Sequence, residues 1–472
     1  MLQPRLGGAT LRCVASRKSL VNGFTGFGYR LSSTTALPRT KEMVTGTPSH
    51  QRSQYPLSAM PTNMLLRSLF IATVSSNKFL LTPSLHLLSF FSKPDRSFLF
   101  NVDRNPVLKA ILKRILYNQF CAGETEQETR ACVKQLKDLG FKGVILTYAK
   151  EMVFDHKTAS ANHHTSDKFV DEKAVPAHDT EVEAWRAGTL RTLDLISEGD
   201  ILALKTTGGG PAVSAAFSKG QLAPPQMLSA LDEIATKCKE RGIQIIVDAE
   251  SQHWQAGIAR TTLELMRKFN RDGKAVIYNT YQAYLKATPA VLAHHMAEAE
   301  KDGFTLGLKL VRGAYMTSDD RSLIHDTKQD TDDAYNSIAQ GALRQQIGLF
   351  GAPGAHARAF PSVNLFLASH NRDSVFEANK LHRQRAQARL PTVPVAYGQL
   401  HGMSDEVSFS LLTQKSETGL PPEVLKCTTW GSMGECVGYL LRRAVENRDA
   451  VLRTKDEFAA LRREARRRFF WA

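Results

Sequence analysis

Several polar side chains that could form the rim of an active site directly follow short apolar segments of this 472-residue chain. Lys205 follows ILAL, Asp248 follows IIV, and Gln282 follows the segment AVIYNTY. The other members of the group are Lys309 with Tyr315, and His370 with Asn371. Cations, a carboxylate and hydrogen-bonding groups of this kind can bind a small polar ligand.

A second candidate is the pair of adjacent arginines, Arg442 and Arg443, in the run YLLRRAVEN. Guanidinium groups suit a carboxylate because they form paired, charge-assisted hydrogen bonds with it. Successive residues of a helix are about 100° apart, so the sequence alone leaves open whether both arginines face one site. The alternative is an ordinary solvated helix face.

Eight short segments have the pattern of β-strands and alternate with segments of helical periodicity. They are GVILTYA from Gly143, ILALKTT from Ile201, IQIIVDAE from Ile243, AVIYNTY from Ala275, TLGLKLV from Thr305, VNLFLASH from Val363, PVAYGQL from Pro394 and VLKCTTW from Val424. This order predicts an α/β fold, a (β/α)8 TIM-type barrel, with its chemistry at the carboxyl ends of the strands. The polar residues above would then meet at one mouth.

Helices are predicted between these strands and before the first of them. Residues 224–242 and 261–273 have helical patterns that each end in glycine, and residues 261–273 open on threonines. Thr125 and Glu128 form a possible capping box for a helix that ends at Gly140.

The formal charge of +15 is explained in part by the beginning of the chain. Residues 1–41 contain seven Lys and Arg but no Asp or Glu, amid many Ser, Thr and Gly. This composition is typical of a mitochondrial transit peptide, with a disordered basic tail as the alternative. We therefore expect no nucleic-acid partner.

We predict three regions along the chain. They are a transit peptide over 1–45, an N-terminal helical region over 46–140 and a catalytic barrel over 141–472.

Three further features indicate whether the chain binds zinc, forms disulfides or contacts a membrane. The six cysteines form no CxxC pair, which argues against a zinc site and against a disulfide framework. Residues 62–92 are very apolar, but Arg67, Lys78 and Pro83 interrupt them, and a span needs roughly twenty apolar residues. We predict buried helices there, with an interfacial segment as the alternative. The basic tail, 461–472, is predicted to be a charged helix end, the alternative being contact with anionic lipid.

The chain resembles the proline dehydrogenase (proline oxidase) family, in its mitochondrial fungal form, across roughly residues 65–467. The resemblance is carried by seven motifs in order. They are NQFCAGE (118–124), VDAE (247–250), YNTYQAYLK (278–286), LKLVRGAYM (308–316), ASHN (368–371), QLHGM (399–403) and WGSMGECVGYLLRRAVEN (430–447).

The resemblance implies FAD bound noncovalently in the barrel mouth, which agrees with the lack of a Rossmann G-x-G-x-x-G motif. It implies oxidation of L-proline to Δ1-pyrroline-5-carboxylate, with ubiquinone as electron acceptor at the inner mitochondrial membrane. The cofactor residues it implies are Gln282, Lys309, Arg312, Gly313, Ala314, Ser369, His370 and Asn371. The substrate residues are Lys205, Asp248, Tyr315, Leu400, Cys427, Arg442 and Arg443, and all of these except Leu400 and Cys427 also count as catalytic. The open alternatives are a structural ion pair for Asp248 with Lys205, and simple packing for Tyr315.

The chain departs from the family pattern in one stretch that bears on the substrate. Where the family has KYxPWG, this chain has KCTTWG, so Cys427 replaces a tyrosine and Thr429 replaces a proline. Ser369 replaces the threonine of ATHN and keeps the hydroxyl group. The smaller Cys427 could admit a ring hydroxyl, so hydroxyproline or another cyclic imino acid is an alternative substrate. A catalytically degenerate, flavin-binding paralogue is a further alternative.

Overall fold

The computed structural model describes residues 55–92, 97–148, 178–316, 319–414, 421–448 and 451–470. The predicted transit peptide, residues 1–45, lies outside the described residues. The predicted division of the chain at residues 45 and 140 stays a prediction.

Eight parallel strands close into a barrel, which confirms the predicted fold class. The strands are β2 Gly143–Tyr148, β3 Ile201–Leu204, β4 Gln244–Val247, β5 Ile277–Gln282, β6 Leu306–Val311, β7 Val363–Ala368, β8 Val395–Leu400 and β9 Glu423–Trp430. Closure occurs where β9 pairs with both β8 and β2. A short strand that we did not predict, β1 Cys121–Gly123, pairs with the end of β9.

Most strand residues are apolar because both faces of the strands are buried, although β5 and β9 also contain buried polar residues such as Asn279 and Lys426. Ile145, Ile246 and Phe366 belong to one compact cluster inside the barrel. Their neighbours along the chain, such as Val144 and Ile245, belong to a second cluster that packs against the surrounding helices. Side chains of a strand alternate between its two faces. A residue two positions beyond an inward-facing one therefore also points inward, towards the carboxyl end.

Helices surround the barrel and extend before it. They are α1 Thr62–Ser76, α2 Lys78–Phe91, α3 Pro106–Leu112, α4 Glu126–Asp138, α5 Thr180–Leu193, α6 Pro211–Ser218, α7 Pro225–Glu240, α8 Gln252–Phe269, α9 Thr288–Asp302, α10 Lys328–Arg344, α11 Arg372–Gln387, α12 Asp405–Leu412, α13 Met433–Arg448 and α14 Val451–Phe470. Most fill the connections between strands, as a (β/α)8 barrel requires.

The predicted helix signals were correct in one place, half correct in another and wrong in a third. The side chain of Thr125 accepts a hydrogen bond from the Glu128 backbone at the start of α4, but the Glu128 side chain accepts from the Glu124 backbone rather than from that of Thr125, so the predicted capping box is only half formed. Helix α7 occupies the predicted region before Gly242. Helix α8 begins nine residues before the predicted threonine, because Thr261 and Thr262 lie buried inside it.

The segment before the barrel is helical and packs against its carboxyl end. A single π-helical turn, Lys113–Tyr117, follows α3. No described helix is by itself long and apolar enough to cross a bilayer, although α1 and α2 together meet that test and are bent by 103°.

Candidate functional site

A cavity of about 730 Å³ opens at the carboxyl ends of the barrel strands. It brings together thirteen of the fifteen residues that the sequence singled out. They are Lys205, Asp248, Gln282, Lys309, Arg312, Gly313, Ala314, Tyr315, Ser369, His370, Asn371, Leu400 and Cys427. The described residues contain no group of three or more His, Cys, Asp or Glu that could bind a metal ion.

Asp248 lies between two lysines near the base of the cavity. Its Oδ1 accepts a hydrogen bond of 2.7 Å from the Lys309 Nζ, and its Oδ2 is 3.8 Å from the Lys205 Nζ. All three side chains are mostly buried, with at most 21% of their surface exposed. Ala203 and Ile246 face inward two positions before Lys205 and Asp248, so strand alternation alone aims these groups at one another.

Arg312 follows β6 and is held by side chains from α10, from the end of the neighbouring strand β7 and from α11. Its Nε donates to Asp332 at 2.7 Å, and its two terminal nitrogens donate to Ser369 at 2.7 Å and Ser374 at 2.8 Å. The guanidinium also stacks over the Tyr335 ring, 4.3 Å from the centroid. These contacts fix the position of the Arg312 guanidinium at the cavity wall.

The motif ASHN turns from β7 into α11 at the cavity edge. The Ser369 Oγ accepts from the Asn371 backbone at 3.1 Å, and the Asn371 side chain caps α11 by accepting from the Ser374 backbone. The His370 Nε2 accepts a hydrogen bond of 3.0 Å from the Leu400 backbone. This nitrogen is therefore the unprotonated one in the neutral ring.

Gln282 is the most unusual polar residue in the cavity wall. Its side chain is buried, yet neither its amide nitrogen nor its amide oxygen has a hydrogen-bond partner among the described residues. Buried amides are almost always paired, because an unpaired one costs about 1–3 kcal/mol. The position is therefore suited to a polar ligand that both donates and accepts.

The turn after β6 brings backbone close to the cavity at Gly313. This residue has φ +149°, and a Cβ atom there would lie 2.3 Å from the Tyr284 ring. The Tyr284 hydroxyl donates to Asp319 at 2.7 Å, and the Asp319 backbone nitrogen donates to the Tyr315 carbonyl at 2.8 Å. Only glycine fits this turn, which presents Ala314 and Tyr315 to the cavity.

Leu400 and Cys427 stand side by side on neighbouring strands. They are direct partners in the β8 and β9 register, and Cys427 is also paired with Ile145. The Cys427 thiol is not part of a disulfide. These two side chains give the cavity a small apolar wall.

Arg442 and Arg443 lie on α13, the helix after the last barrel strand, and their side chains are outside the described residues. Tyr439 of the same helix lines the cavity. A hydrogen bond of 2.9 Å from the Tyr148 hydroxyl to Glu435 joins this helix to the barrel. Burial, followed by this bond to a carboxylate, raises the pKa of Tyr148 to about 12.

Sequence reasoning missed several residues of the cavity wall. They are Thr147, Tyr148, Thr280, Gln399, Tyr439, Asp456 and Glu457. Thr147 follows the inward-facing Ile145 by two positions, so strand alternation could have identified it. Asp456 and Glu457 come from the last helix, α14, and no local pattern connects that helix to the mouth.

Glu457, which is half-buried in the cavity wall, joins a polar network whose other members are buried. Lys426 and Asp405 are fully buried and form an ion pair of 2.7 Å, and the Asp405 backbone nitrogen donates to Glu457 at 2.8 Å. Burial, followed by the nearby Asp405 carboxylate, raises the pKa of Glu457 to about 7. The Asp405 carboxylate also accepts from Ser68 of α1, so the network joins three parts of the chain.

The sequence matches known proteins over most of its length. A family model described as proline dehydrogenase matches residues 129–456. The probable mitochondrial proline dehydrogenase of Schizosaccharomyces pombe is 29% identical over 447 residues, which cover 86% of this chain and 88% of that protein. The hydroxyproline dehydrogenase of Bos taurus is 29% identical over 389 residues, covering 76% of this chain and 82% of that protein.

The fold also matches a solved structure. Proline utilization A from Bdellovibrio bacteriovorus, inactivated by N-propargylglycine, superposes with a TM-score of 0.60 at 14% sequence identity. The match covers 85% of this chain and 41% of that one, so this chain spans less than half the length of that protein. At this identity the likeness shows the fold alone.

Proposed function

Because the chain belongs to the proline dehydrogenase family, we propose that it is an FAD-dependent enzyme that oxidises L-proline to Δ1-pyrroline-5-carboxylate. The single observation that carries this proposal is the convergence of thirteen predicted residues, spread from Lys205 to Cys427, on one cavity. The carboxyl ends of the strands form the face of a (β/α)8 barrel that carries the active site, and the residues implied by the family resemblance line one cavity on that face.

The residues of the cavity fit FAD. The unpaired amide of Gln282 could both donate to and accept from the edge of a flavin ring, which carries neighbouring acceptors and donors. Gly313 lets the backbone come close to a flat ring, and Arg312 with the ASHN turn offers a cation and donors for phosphate groups. We therefore assign Gln282, Lys309, Arg312, Gly313, Ala314, Ser369, His370 and Asn371 to the cofactor.

The substrate would lie between this group and the helix α13. We propose that Arg442 and Arg443 bind the carboxylate of proline, and helix periodicity supports this because they follow Tyr439 by three and four positions. Lys205 would add a third positive charge. Tyr315, Leu400 and Cys427 would pack around the pyrrolidine ring and exclude water.

When bound, FAD would supply the hydride acceptor for the ring carbon beside nitrogen. The protein's part is to orient the substrate so that this carbon faces the acceptor. Asp248 serves by holding Lys309 and Lys205 in fixed positions, since it contacts both. The Lys205 Nζ lies 3.8 Å from Asp248, so we propose that this ion pair also forms part of the substrate site.

Family membership is also the basis for the electron acceptor and the cellular location that we propose. We propose that electrons pass to ubiquinone and that the chain works in mitochondria, on the matrix side at the inner membrane. The basic, acid-free composition of residues 1–41 and the relatives named as mitochondrial support import.

Hydroxyproline is the second candidate substrate, and one observation favours it. Cys427 stands in the cavity wall beside Leu400, where a smaller side chain leaves space for a ring hydroxyl. The bovine relative is named a hydroxyproline dehydrogenase.

Steady-state turnover with a soluble quinone tests both candidates. We expect kcat/KM to be higher for L-proline than for trans-4-hydroxy-L-proline, with the imine product trapped by o-aminobenzaldehyde. The variant Cys427→Tyr should lower kcat/KM for hydroxyproline about tenfold more than for proline, because the added ring removes space for the hydroxyl. A preference of the wild-type enzyme for hydroxyproline would establish the second candidate. Turnover of neither compound would refute both.

A further inference from the structure

The backbone turn that follows Lys205 is bound by a buried carboxylate, that of Glu250. Glu250 comes two positions after Asp248, beyond the end of β4, and is 3% exposed. Its carboxylate accepts a hydrogen bond of 3.1 Å from the Thr207 backbone nitrogen and another from the Thr207 hydroxyl. The Thr206 hydroxyl also donates to it, at 3.4 Å. One side chain thus binds both residues that directly follow Lys205.

The indole of Trp185 binds the same turn at Lys205 itself. Its Nε1 donates a hydrogen bond of 3.0 Å to the Lys205 carbonyl, which ties the turn to α5. The Asp248 backbone nitrogen donates to the Leu204 carbonyl at 3.0 Å, and this bond continues the pairing of β3 with β4 as far as Lys205. Lys205 therefore projects from a backbone that is tied to both neighbouring elements.

Three successive glycines, Gly208 to Gly210, let the turn pack closely against α5. A Cβ atom on Gly208 would lie 3.0 Å from the Trp185 ring, and one on Gly210 would lie 2.2 Å from the Glu181 carboxylate. Gly210 also has φ +102°, a backbone conformation that residues with a side chain rarely adopt. A run of glycines usually gives a flexible turn, whereas close neighbours surround this one.

A small cavity of about 50 Å³ adjoins the turn. Its lining includes Lys205, Gly208, Trp185 and Tyr148. Atoms beside an open space lack packing partners on that side, so packing alone does not fix the turn there. The position of the turn depends on its hydrogen bonds to Glu250 and Trp185.

The ion pair with Asp248 constrains Lys205 less than it constrains Lys309. The Lys309 Nζ donates to the Asp248 carboxylate at 2.7 Å, whereas the Lys205 Nζ lies 3.8 Å from it, farther than a hydrogen bond reaches. The direction of the Lys205 side chain therefore depends more on the backbone turn that carries it.

We propose that Glu250 is a positioning residue, which fixes the turn after β3 so that the Lys205 ammonium meets the carboxylate of the substrate. This role rests on the proposed function, in which Lys205 supplies a positive charge to that carboxylate. A charge-assisted hydrogen bond needs its nitrogen about 2.7–2.9 Å from the carboxylate oxygen, so a small shift of the turn weakens it. Trp185 acts in the same way through the Lys205 carbonyl.

A double-mutant cycle on the FAD-bound protein tests the proposal. The measured quantity is the proline concentration that gives half the limiting rate of anaerobic flavin reduction. Glu250→Ala and Lys205→Met should each raise this concentration about tenfold, and the two changes together should raise it no further than Lys205→Met alone. Additive effects, about a hundredfold in the double variant, would overturn the proposal, because Glu250 would then act independently of Lys205.

Smaller substitutions in the turn repeat the test with less disturbance of the fold. Thr207→Val removes the hydroxyl that donates to Glu250, and Trp185→Phe removes the indole donor, so each should raise the same concentration about threefold or more. Thr207→Ser keeps the hydroxyl and should restore the wild-type value. Equal values for the Val and Ser variants at position 207 would overturn the proposal.

Asp200 provides the matched control, because it is a buried carboxylate at the other end of the same strand, β3. It accepts hydrogen bonds of 2.9 Å from the Val144 and Ser197 backbone nitrogens. That end of a (β/α)8 barrel contributes to stability rather than to the active site. Asp200→Ala should therefore lower the free energy of unfolding and leave the proline concentration unchanged. An equal rise for Asp200→Ala and Glu250→Ala would overturn the proposal, since lost stability would explain both.

Hydrogen exchange in the FAD-free protein gives a readout that needs no turnover. Glu250→Ala should speed the exchange of backbone amides in residues 206–210, where the Thr207 N–H is bonded to Glu250, and Asp200→Ala should not. Unchanged exchange in Glu250→Ala would overturn the proposal.

The positioning role and the proposed function fail in different ways. Wild-type flavin that neither L-proline nor hydroxyproline reduces would refute the proposed function, and the substrate role of Lys205 with it. Normal reduction of the wild-type flavin by L-proline, with additive effects of Glu250→Ala and Lys205→Met, would refute the positioning role alone.

Discussion

At the scale of single residues, the cavity combines polar groups that the protein itself pairs with others, above all Gln282, that have no partner among the described residues. Arg312 uses three nitrogens on the protein, and Asp248 contacts two lysines. Gln282 has no partner for either end of its amide among the described residues. Paired groups stabilise the empty cavity, while an unpaired one costs stability until a ligand binds.

Gln282→Leu is therefore expected to have opposite effects on stability and on cofactor affinity. It should raise the free energy of unfolding of the FAD-free protein by about 1–2 kcal/mol and weaken FAD binding about tenfold or more. Urea denaturation and fluorescence titration with FAD measure the two quantities. Gln244→Leu is the control, because the Gln244 amide donates to Ala275 and Tyr278 and its loss should lower stability without changing FAD affinity. A drop in stability with Gln282→Leu would contradict this interpretation.

At the scale of elements, strand alternation made most of the site predictable. Lys205, Asp248 and Cys427 each follow an inward-facing residue by two positions, so a correct strand assignment aims them into the barrel. Strands buried on both faces are easy to recognise because most of their residues are apolar. The strand pattern could not predict contacts between residues that are distant in the sequence, such as the position of Glu457 at the cavity mouth.

The start of helix α8 was predicted wrongly because a local sequence pattern does not show the hydrogen-bond partners of its threonines. Threonines favour helix starts because their hydroxyls can cap exposed backbone nitrogens, and this placed the predicted start at Thr261. In the structure the Thr261 hydroxyl accepts from the Ala223 backbone, and the Thr262 hydroxyl donates to Ile258 one turn back. Partners distant in the sequence, or within the helix, satisfy these hydroxyls, and no local pattern reveals that.

The turn after β6 gives a prediction at the element scale. Gly313→Ala should lower the free energy of unfolding by about 2–4 kcal/mol, because the new Cβ meets the tethered Tyr284 ring and the backbone is strained. Gly354→Ala is the control, since Gly354 has φ +128° with nothing within 4 Å, and should cost about 1 kcal/mol. Equal losses for both variants, measured by urea denaturation, would show that the Tyr284 contact is unimportant.

At the scale of the whole molecule, a buried polar network joins the helices outside the barrel to the strand β9. Lys426 of β9 pairs with Asp405, which contacts Ser68 of α1 through its carboxylate and Glu457 of α14 through its backbone nitrogen. Removing one partner of a buried ion pair is costly because the other charge is left buried and unpaired. The first and last described helices are thereby fixed around the cavity.

The raised pKa of Glu457 makes this network sensitive to pH. A carboxyl group whose pKa is higher in the folded state binds its proton more tightly there, so it contributes stability below its ordinary pKa of 4.5. That contribution is lost as the pH rises from 4.5 to about 7. Relative to Glu457→Gln, which keeps the carbonyl acceptor for Asp405, the wild-type protein should therefore lose stability across this window. Urea denaturation at several pH values measures the difference, and parallel curves for the two proteins would refute the prediction.

The most direct test of the account is an anaerobic titration of the FAD-bound protein with L-proline, followed by flavin absorbance. We predict that L-proline bleaches the flavin, and that Arg442→Met and Arg443→Met each raise the proline concentration for half-bleaching about tenfold or more, because the carboxylate loses a partner. Flavin that neither L-proline nor hydroxyproline bleaches in the wild-type protein would contradict the proposed function. Unchanged titration of both arginine variants would contradict the carboxylate site.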